Sequence, residues 1–193
     1  MKARRLVFLL ALLGGIFFGA AAQTSPQRPA HWAQAVAVVG IQNCFQVSTN
    51  LYRGAQPTAA GMKHLEKLGI KTVLNLRALH SDQDELAGTA LKPVRLKMEP
   101  WHSDEDEVVL FLKAATDTNN WPVFVHCQRG SDRTGTMCAM YRIVVCGWTK
   151  EQALAEMKHG GFGFNPTWQN LVEYVEKSDI PSIRRRVGLP EGK

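Results

Sequence analysis

Short β-branched or aromatic runs alternate along this chain with longer stretches whose apolar residues recur every three or four positions. The first pattern fits strands and the second fits helices, because side chains repeat every two residues in one and every 3.6 in the other. NCFQVSTNLYRGAQPT reads as two short strands joined at Ser48-Thr49-Asn50. Thr58 caps a helix through AAGMKHLEKLG that stops at Gly69, and IKTVLNLR follows as a buried strand. ALHSDQDELAGTALKP is a polar loop with room for a short helix, and VRLKMEP is the next strand. Ser103 caps a helix from Asp104 to Thr116, with Val108 to Leu112 supplying its buried side. PVFVHC is a continuous apolar run suited to a central parallel strand. A helix then runs from Arg133 to Cys146 and ends at Gly147. Thr149 and Gln152 form a capping box for KEQALAEMKHGG, and Asn165-Pro166 opens a last helix, TWQNLVEYVEK.

Strands alternating with helices predict an α/β fold, a central and mainly parallel sheet flanked by helices. In such sheets ligands bind at the carboxyl ends of strands, where strand passes to helix. Cys127 lies at such an end.

The first 22 residues break the pattern. A basic start (MKARR), an apolar run (LVFLLALLGGIFF) and small residues before Gln23 make up a secretory signal cleaved after Ala22. The run is short for a membrane span, so no stable membrane insertion is expected after cleavage, and a periplasmic or otherwise exported location is. Residues 23–43 read as a polar lead-in, 44–180 as one domain and 181–193 as a basic tail. The formal charge is +6, but Lys2, Arg4 and Arg5 carry half of that excess and lie in the leader. The basic balance therefore argues for no nucleic-acid partner, and Arg184-Arg185-Arg186 reads as a solvated face. Four cysteines in an exported chain raise the question of disulfides. Cys138 and Cys146, eight residues apart on one helix, stand roughly 12 Å apart along its axis, too far to bridge. Both are expected as small core residues.

HCQRGSDRTG, residues 126–135, carries the chemistry. Five residues separate the thiol of Cys127 from the guanidinium of Arg133, and Gly130 between them permits a positive φ or a close backbone approach. A helix begins at once, so free N–H groups and the positive end of its dipole face the loop. The N–H groups from Gln128, Arg129, Gly130, Ser131, Asp132 and Arg133 can ring an oxyanion, and the Arg133 fork matches phosphate oxygens. The same field favours the anionic form of a thiol placed in it.

These residues resemble the His-Cys-x5-Arg-Thr/Ser signature of the cysteine-dependent protein tyrosine and dual-specificity phosphatases. NLYRGAQPTAAGMKHLEKLGIKTVLNLR and MYRIVVCGWTKEQALAEMKHGGFG are similar to segments of small, exported bacterial members. The resemblance implies a dual-specificity phosphatase-like fold, no cofactor or metal, and a phosphocysteine formed on Cys127 and hydrolysed by water. It makes Arg133 the phosphoryl clamp, Thr134 a hydroxyl donor to the thiolate, and His126 a residue that supports loop geometry. It calls for an aspartate as general acid, for which EPWHSDEDEVV offers Asp104 first and Asp106 second. Trp101 and His102 are candidates for a wall against an aromatic substrate ring. The expected partner is a phosphorylated protein met by a monomer. An inositol phosphate or phosphoinositide phosphatase, and a non-catalytic phosphate-binding module, stay open as alternatives.

Overall fold

The computed structural model describes residues 28–101 and 103–190. The leader and His102 lie outside the described residues. Strands β1 (Gln34–Ala35), β2 (Phe45–Ser48), β3 (Leu51–Gly54), β4 (Thr72–Arg77), β5 (Lys92–Met98) and β6 (Val123–His126) form one sheet in the order β1-β2-β3-β6-β4-β5. The pairs β3–β6, β4–β6 and β4–β5 are parallel, and β1–β2 and β2–β3 are antiparallel. The helices are α1 (Ala59–Lys67), α2 (Glu105–Thr116), α3 (Asp132–Val144), α4 (Lys150–His159), α5 (Gln169–Lys177) and α6 (Ile180–Val187).

The apolar run of β6 follows from its place. Val123 and Val125 face a core shared with α2 to α6, whereas Phe124 faces a smaller core with Met62 and Leu65 of α1. Both faces are covered, so no polar alternation survives in the sequence. Parallel neighbours on either side, paired as Gly54↔His126 and Asn75↔His126, hold the end of β6 in the middle of the sheet.

Several expectations are corrected. Asp104, not Ser103, caps α2: its carboxylate accepts from Glu107 N at 2.8 Å, and Glu107 returns a bond to Asp104 N at 3.3 Å. β5 begins two residues early and includes Pro93, which an edge strand tolerates because one side of it needs no donor. The 79–91 loop contains no helix. Helix α5 starts at Gln169, after Trp168. Cys146 is exposed rather than part of the core, while Cys44, Cys127 and Cys138 are buried, and all four are free thiols.

Both ends of the described chain are tied down. Arg28 donates to Ala33 O at 2.9 Å and to Gly160 O, and Ala33 N reaches Glu156 Oε1 at 2.5 Å. The basic tail is an amphipathic helix: Asp179 caps it, Pro181 opens it, Gly188 closes it at φ 86°, and Ile183 is buried beneath. Its arginines are not merely solvated. Arg186 pairs with Glu105 at 2.9 Å and with Asp106, and Arg184 donates to Val144 O. No described helix is long and apolar enough to cross a membrane.

Candidate active site

His126 ends β6 and Asp132 begins α3, leaving Cys127 to Ser131 as the connection. Every carbonyl in that connection is held by a donor from outside it. Cys127 O lies 3.2 Å from His126 Nδ1, and Gln128 O accepts from Gln56 N at 3.2 Å. Arg129 O accepts from Asn43 Nδ2 at 2.9 Å and Gly130 O from Arg53 Nη2 at 2.7 Å. Ser131 O takes the first bond of the helix, from Gly135 N at 2.8 Å. A planar peptide points its N–H opposite to its C=O. Anchoring the carbonyls on the outer side thus turns the N–H groups inward, a concave donor array of the kind that binds oxyanions.

Gly130 makes this possible. Its φ is +70°, and a Cβ there would stand 2.4–2.6 Å from backbone atoms of Gly54 and Ala55. The loop therefore lies directly on the end of β3. From the other side, Ser131 Oγ donates to Phe162 O at 2.7 Å, Asn43 Nδ2 reaches the same carbonyl at 2.8 Å, and Asn165 N donates to Asp132 Oδ1 at 2.8 Å.

The opening is a cleft of about 250 Å³ lined by Cys127, Gln128, Arg129, Asp132 and Arg133, with Pro100, Asn165 and Trp168 completing it. Cys127 is buried, whereas Gln128 and Arg129 are exposed. Arg133 Nη1 donates to Met98 O at 3.2 Å, at the end of β5. Thr134 is wholly buried and its Oγ1 has no hydrogen-bond partner, in keeping with a hydroxyl reserved for a group in the loop.

Two other candidates are not brought here. Asp104 does not line the cleft, since its carboxylate caps α2, and Asp106 is exposed and paired with Arg186. Trp101 is also exposed, and among the described residues the aromatic side chain that does line the cleft is Trp168.

The residue that sequence reasoning passed over is Asp82. It is buried, and its Oδ2 lies 2.8 Å from Nε2 of the fully buried His126. Its Oδ1 accepts from Gln56 Nε2 and Asn75 Nδ2, both at 2.9 Å. One carboxylate thus joins the polar loop, β4, the segment after β3 and the end of β6. Burial alone would raise its pKa, but the hydrogen bond and charge of His126, with help from Gln56 and His80, hold it below the usual carboxylate range. His80, Asp82 and Glu85 also bring one donor atom each within 4.8 Å of one another, and His80 Nε2 is paired with Glu85 Oε1 at 3.1 Å.

A carboxylate with a lowered folded pKa stabilises the fold above its unfolded value, near 3.9, and that stability is lost as pH falls through the folded value. Asp82→Asn is expected to cost about 2–4 kcal/mol at neutral pH, because it leaves buried donors facing an amide. Its urea stability between pH 2 and 5 should also depend less steeply on pH than that of the wild type. Equal slopes for the two proteins would show that Asp82 is not held in this way.

The family description "DSP-PTPase phosphatase fused to NAD+ Kinase" matches residues 41–172. The chain is 37% identical over 185 residues to the dual specificity protein phosphatase TpbA of Pseudomonas aeruginosa strain PAO1, covering 92% of this chain and 82% of that one. This chain belongs to the dual-specificity phosphatase-like family. Its fold agrees with the family's solved structures. The crystal structure of P. aeruginosa TpbA superposes with a TM-score of 0.76 at 36% identity, over 84% of this chain and 99% of that one. A cysteine-to-serine variant of TpbA in complex with phosphotyrosine gives the same TM-score at 34% identity, over 86% and 100% of the two chains. Among more distant members, inositol diphosphatase DSP3 of Arabidopsis thaliana is 25% identical over 152 residues, 74% of this chain and 73% of that one.

Proposed function

We propose that this chain is an exported phosphomonoesterase that hydrolyses phosphotyrosine in proteins, with phosphoserine and phosphothreonine as further substrates. The observation that carries the reading is the loop itself. Its carbonyls are engaged outward, Cys127 stands at its base and Arg133 in the first helical turn behind it. In the reaction Cys127 Sγ attacks phosphorus, the bond to the leaving oxygen breaks, and the N–H groups of Gln128 to Arg133 hold the three non-bridging oxygens. Water then attacks the phosphocysteine and releases phosphate and thiolate, which Thr134 Oγ1 stabilises as it leaves. Arg133 swings from Met98 O onto the phosphoryl oxygens as substrate binds. The leaving oxygen takes its proton from Asp104, which gives up its cap on Glu107 N to deliver it.

The leader supports export, and a cleft whose thiol, arginine and donor loop all come from one chain supports action as a monomer. The phosphotyrosine complex of TpbA supports the choice of substrate. So does the cleft, where Asp132 offsets Arg129 and Trp168 lines the wall, a poorer match to a polyanionic inositol phosphate than to an aryl phosphate. Turnover of a phosphotyrosine peptide should exceed that of inositol polyphosphates at least about tenfold in kcat/KM, a difference of 1.4 kcal/mol. The reverse ranking would replace this reading with the inositol phosphatase.

The ring also predicts a selective defect. Trp168→Ala is expected to raise KM for aryl phosphates about five- to tenfold, in line with the loss of one aromatic contact. Phosphoserine peptides should be affected less than about twofold. Equal losses on both substrates would mean that Trp168 shapes the loop and does not touch the leaving group.

A further inference from the structure

Arg53 sits on β3, opposite Val125 of β6, with only 1% of its surface exposed. Its guanidinium is surrounded by uncharged partners. Nη2 donates to Gly130 O at 2.7 Å and lies 3.5 Å from Ser131 O. The plane rests over the Phe162 ring, 3.8 Å from its centroid, and Nε has no partner. Gly135, in the first turn of α3, lies beside the guanidinium: a Cβ built there would be 3.8 Å from Nη2, an ordinary contact distance.

A buried cation is costly unless an anion accompanies it. Glu156, the carboxylate with an electrostatic effect on Arg53, is already gripped by Arg142 through bonds of 2.8 and 2.9 Å and accepts from Ala33 N. Two guanidiniums and one carboxylate leave one positive charge in excess. Burial pushes the nearby Cys138 thiol up to about 11, so it is neutral at physiological pH and offers no compensation. An arginine stays protonated even when burial pulls its pKa down. The remaining site for the matching negative charge is the loop that Arg53 supports.

We propose that Arg53 is a positioning residue that places an uncompensated positive charge beneath the phosphate loop, where it favours the anion of Cys127 and the bound phosphoryl group. This rests on the reading of Cys127 as the nucleophile. The groups facing Cys127 are then Arg53, Arg133 and Arg129 as cations, Asp132 as an anion, the His126–Asp82 pair, and the neutral Cys138. Of the three arginines Arg53 is the one shut off from water, and charge acts most strongly where solvent screens it least.

The test separates charge from packing. Arg53→Gln retains a donor for Gly130 O and loses the charge, whereas Arg53→Lys retains the charge and loses the fork and the stack. Alkylation of Cys127 by iodoacetamide is followed against pH by peptide mass spectrometry, which distinguishes it from the other three thiols. Arg53→Gln is expected to raise the alkylation midpoint by at least about one pH unit and to weaken inhibition by inorganic phosphate about tenfold. Arg53→Lys should hold the midpoint within about 0.3 unit even if its Tm falls. An unchanged midpoint in Arg53→Gln overturns the proposal and leaves Arg53 a packing residue. Should Arg53→Gln not fold, Arg53→Lys and Phe162→Leu carry the test: both keep the charge, and a midpoint shift of a unit or more in either overturns the proposal. Failure of the phosphatase reading would appear separately, as wild-type protein that does not turn over aryl phosphate.

Discussion

Cys127→Ser protein is expected to fold as the wild type does and to lose at least about 10⁴-fold in kcat/KM on an aryl phosphate, the scale seen when a nucleophile is removed. The exchange replaces one atom, and the side chain is 3% exposed, so neither volume nor solvation changes much. Chemistry changes instead. A serine hydroxyl holds its proton far above neutral pH, and the one carboxylate between Cys127 and Arg133, that of Asp132, is engaged by Asn165 N. The carbonyls stay tied to Gln56, Asn43 and Arg53, so the N–H array persists and phosphate still binds. Calorimetry should therefore show phosphopeptide affinity within about threefold of wild type, beside a Tm within about 2 °C. Activity above 1% of wild type would mean that the phosphoryl group does not pass through Cys127.

The loop was legible because its parts are adjacent in sequence. A buried apolar run gives the strand, a helical repeat follows, and a thiol, glycine and arginine fall between them. What holds the loop was not legible to the same degree. Asp82 is 44 residues from His126, Arg53 is 77 from Gly130, and Asn43 is 86 from Arg129. Asp82 sits in a polar loop among other polar residues, and nothing local marks it as the one that will be buried. Asn43 lies in what reads as an unstructured lead-in, and its role depends on a φ of 55° and on two carbonyls that only the fold brings near.

Other misses had signals that were outweighed. Asp104 and Glu107 are spaced as a capping box, the arrangement they adopt, yet an aspartate after a strand also fits a proton donor. The cap sets one carboxylate oxygen on Glu107 N, so in this structure the residue obeys the local rule and stands outside the cleft. Helix α6 shows proline near its start and glycine past its end, which mark helix termini, but three arginines in a row suggested a solvated tail. Arg184 and Arg186 point to acids of α2 and a carbonyl of α3, contacts that no reading of residues 181–193 alone can reveal.

Gly130→Ala should damage both fold and site, more than a change of one methyl group usually does. Its φ of +70° already disfavours an L-residue by about 1–2 kcal/mol. The new Cβ would also stand 2.4 Å from Gly54 C, 2.5 Å from Gly54 O and 2.6 Å from Ala55 N. These are backbone atoms that cannot rotate aside, and Gly54 is paired in register with His126. Relief must come from lifting the loop off β3. That motion stretches the 2.7 Å bond from Arg53 to Gly130 O and tilts the N–H groups on either side. The expected cost is about 3 kcal/mol in stability and at least 100-fold in kcat/KM, with weaker phosphate binding in proportion. Gly147→Ala is the control, because its φ of +73° carries the same conformational penalty with nothing within 4 Å of the added carbon. It should lose about 1 kcal/mol and no activity. If both variants lose equal stability and both remain active, the close approach of the loop to β3 is not what shapes the phosphate cradle.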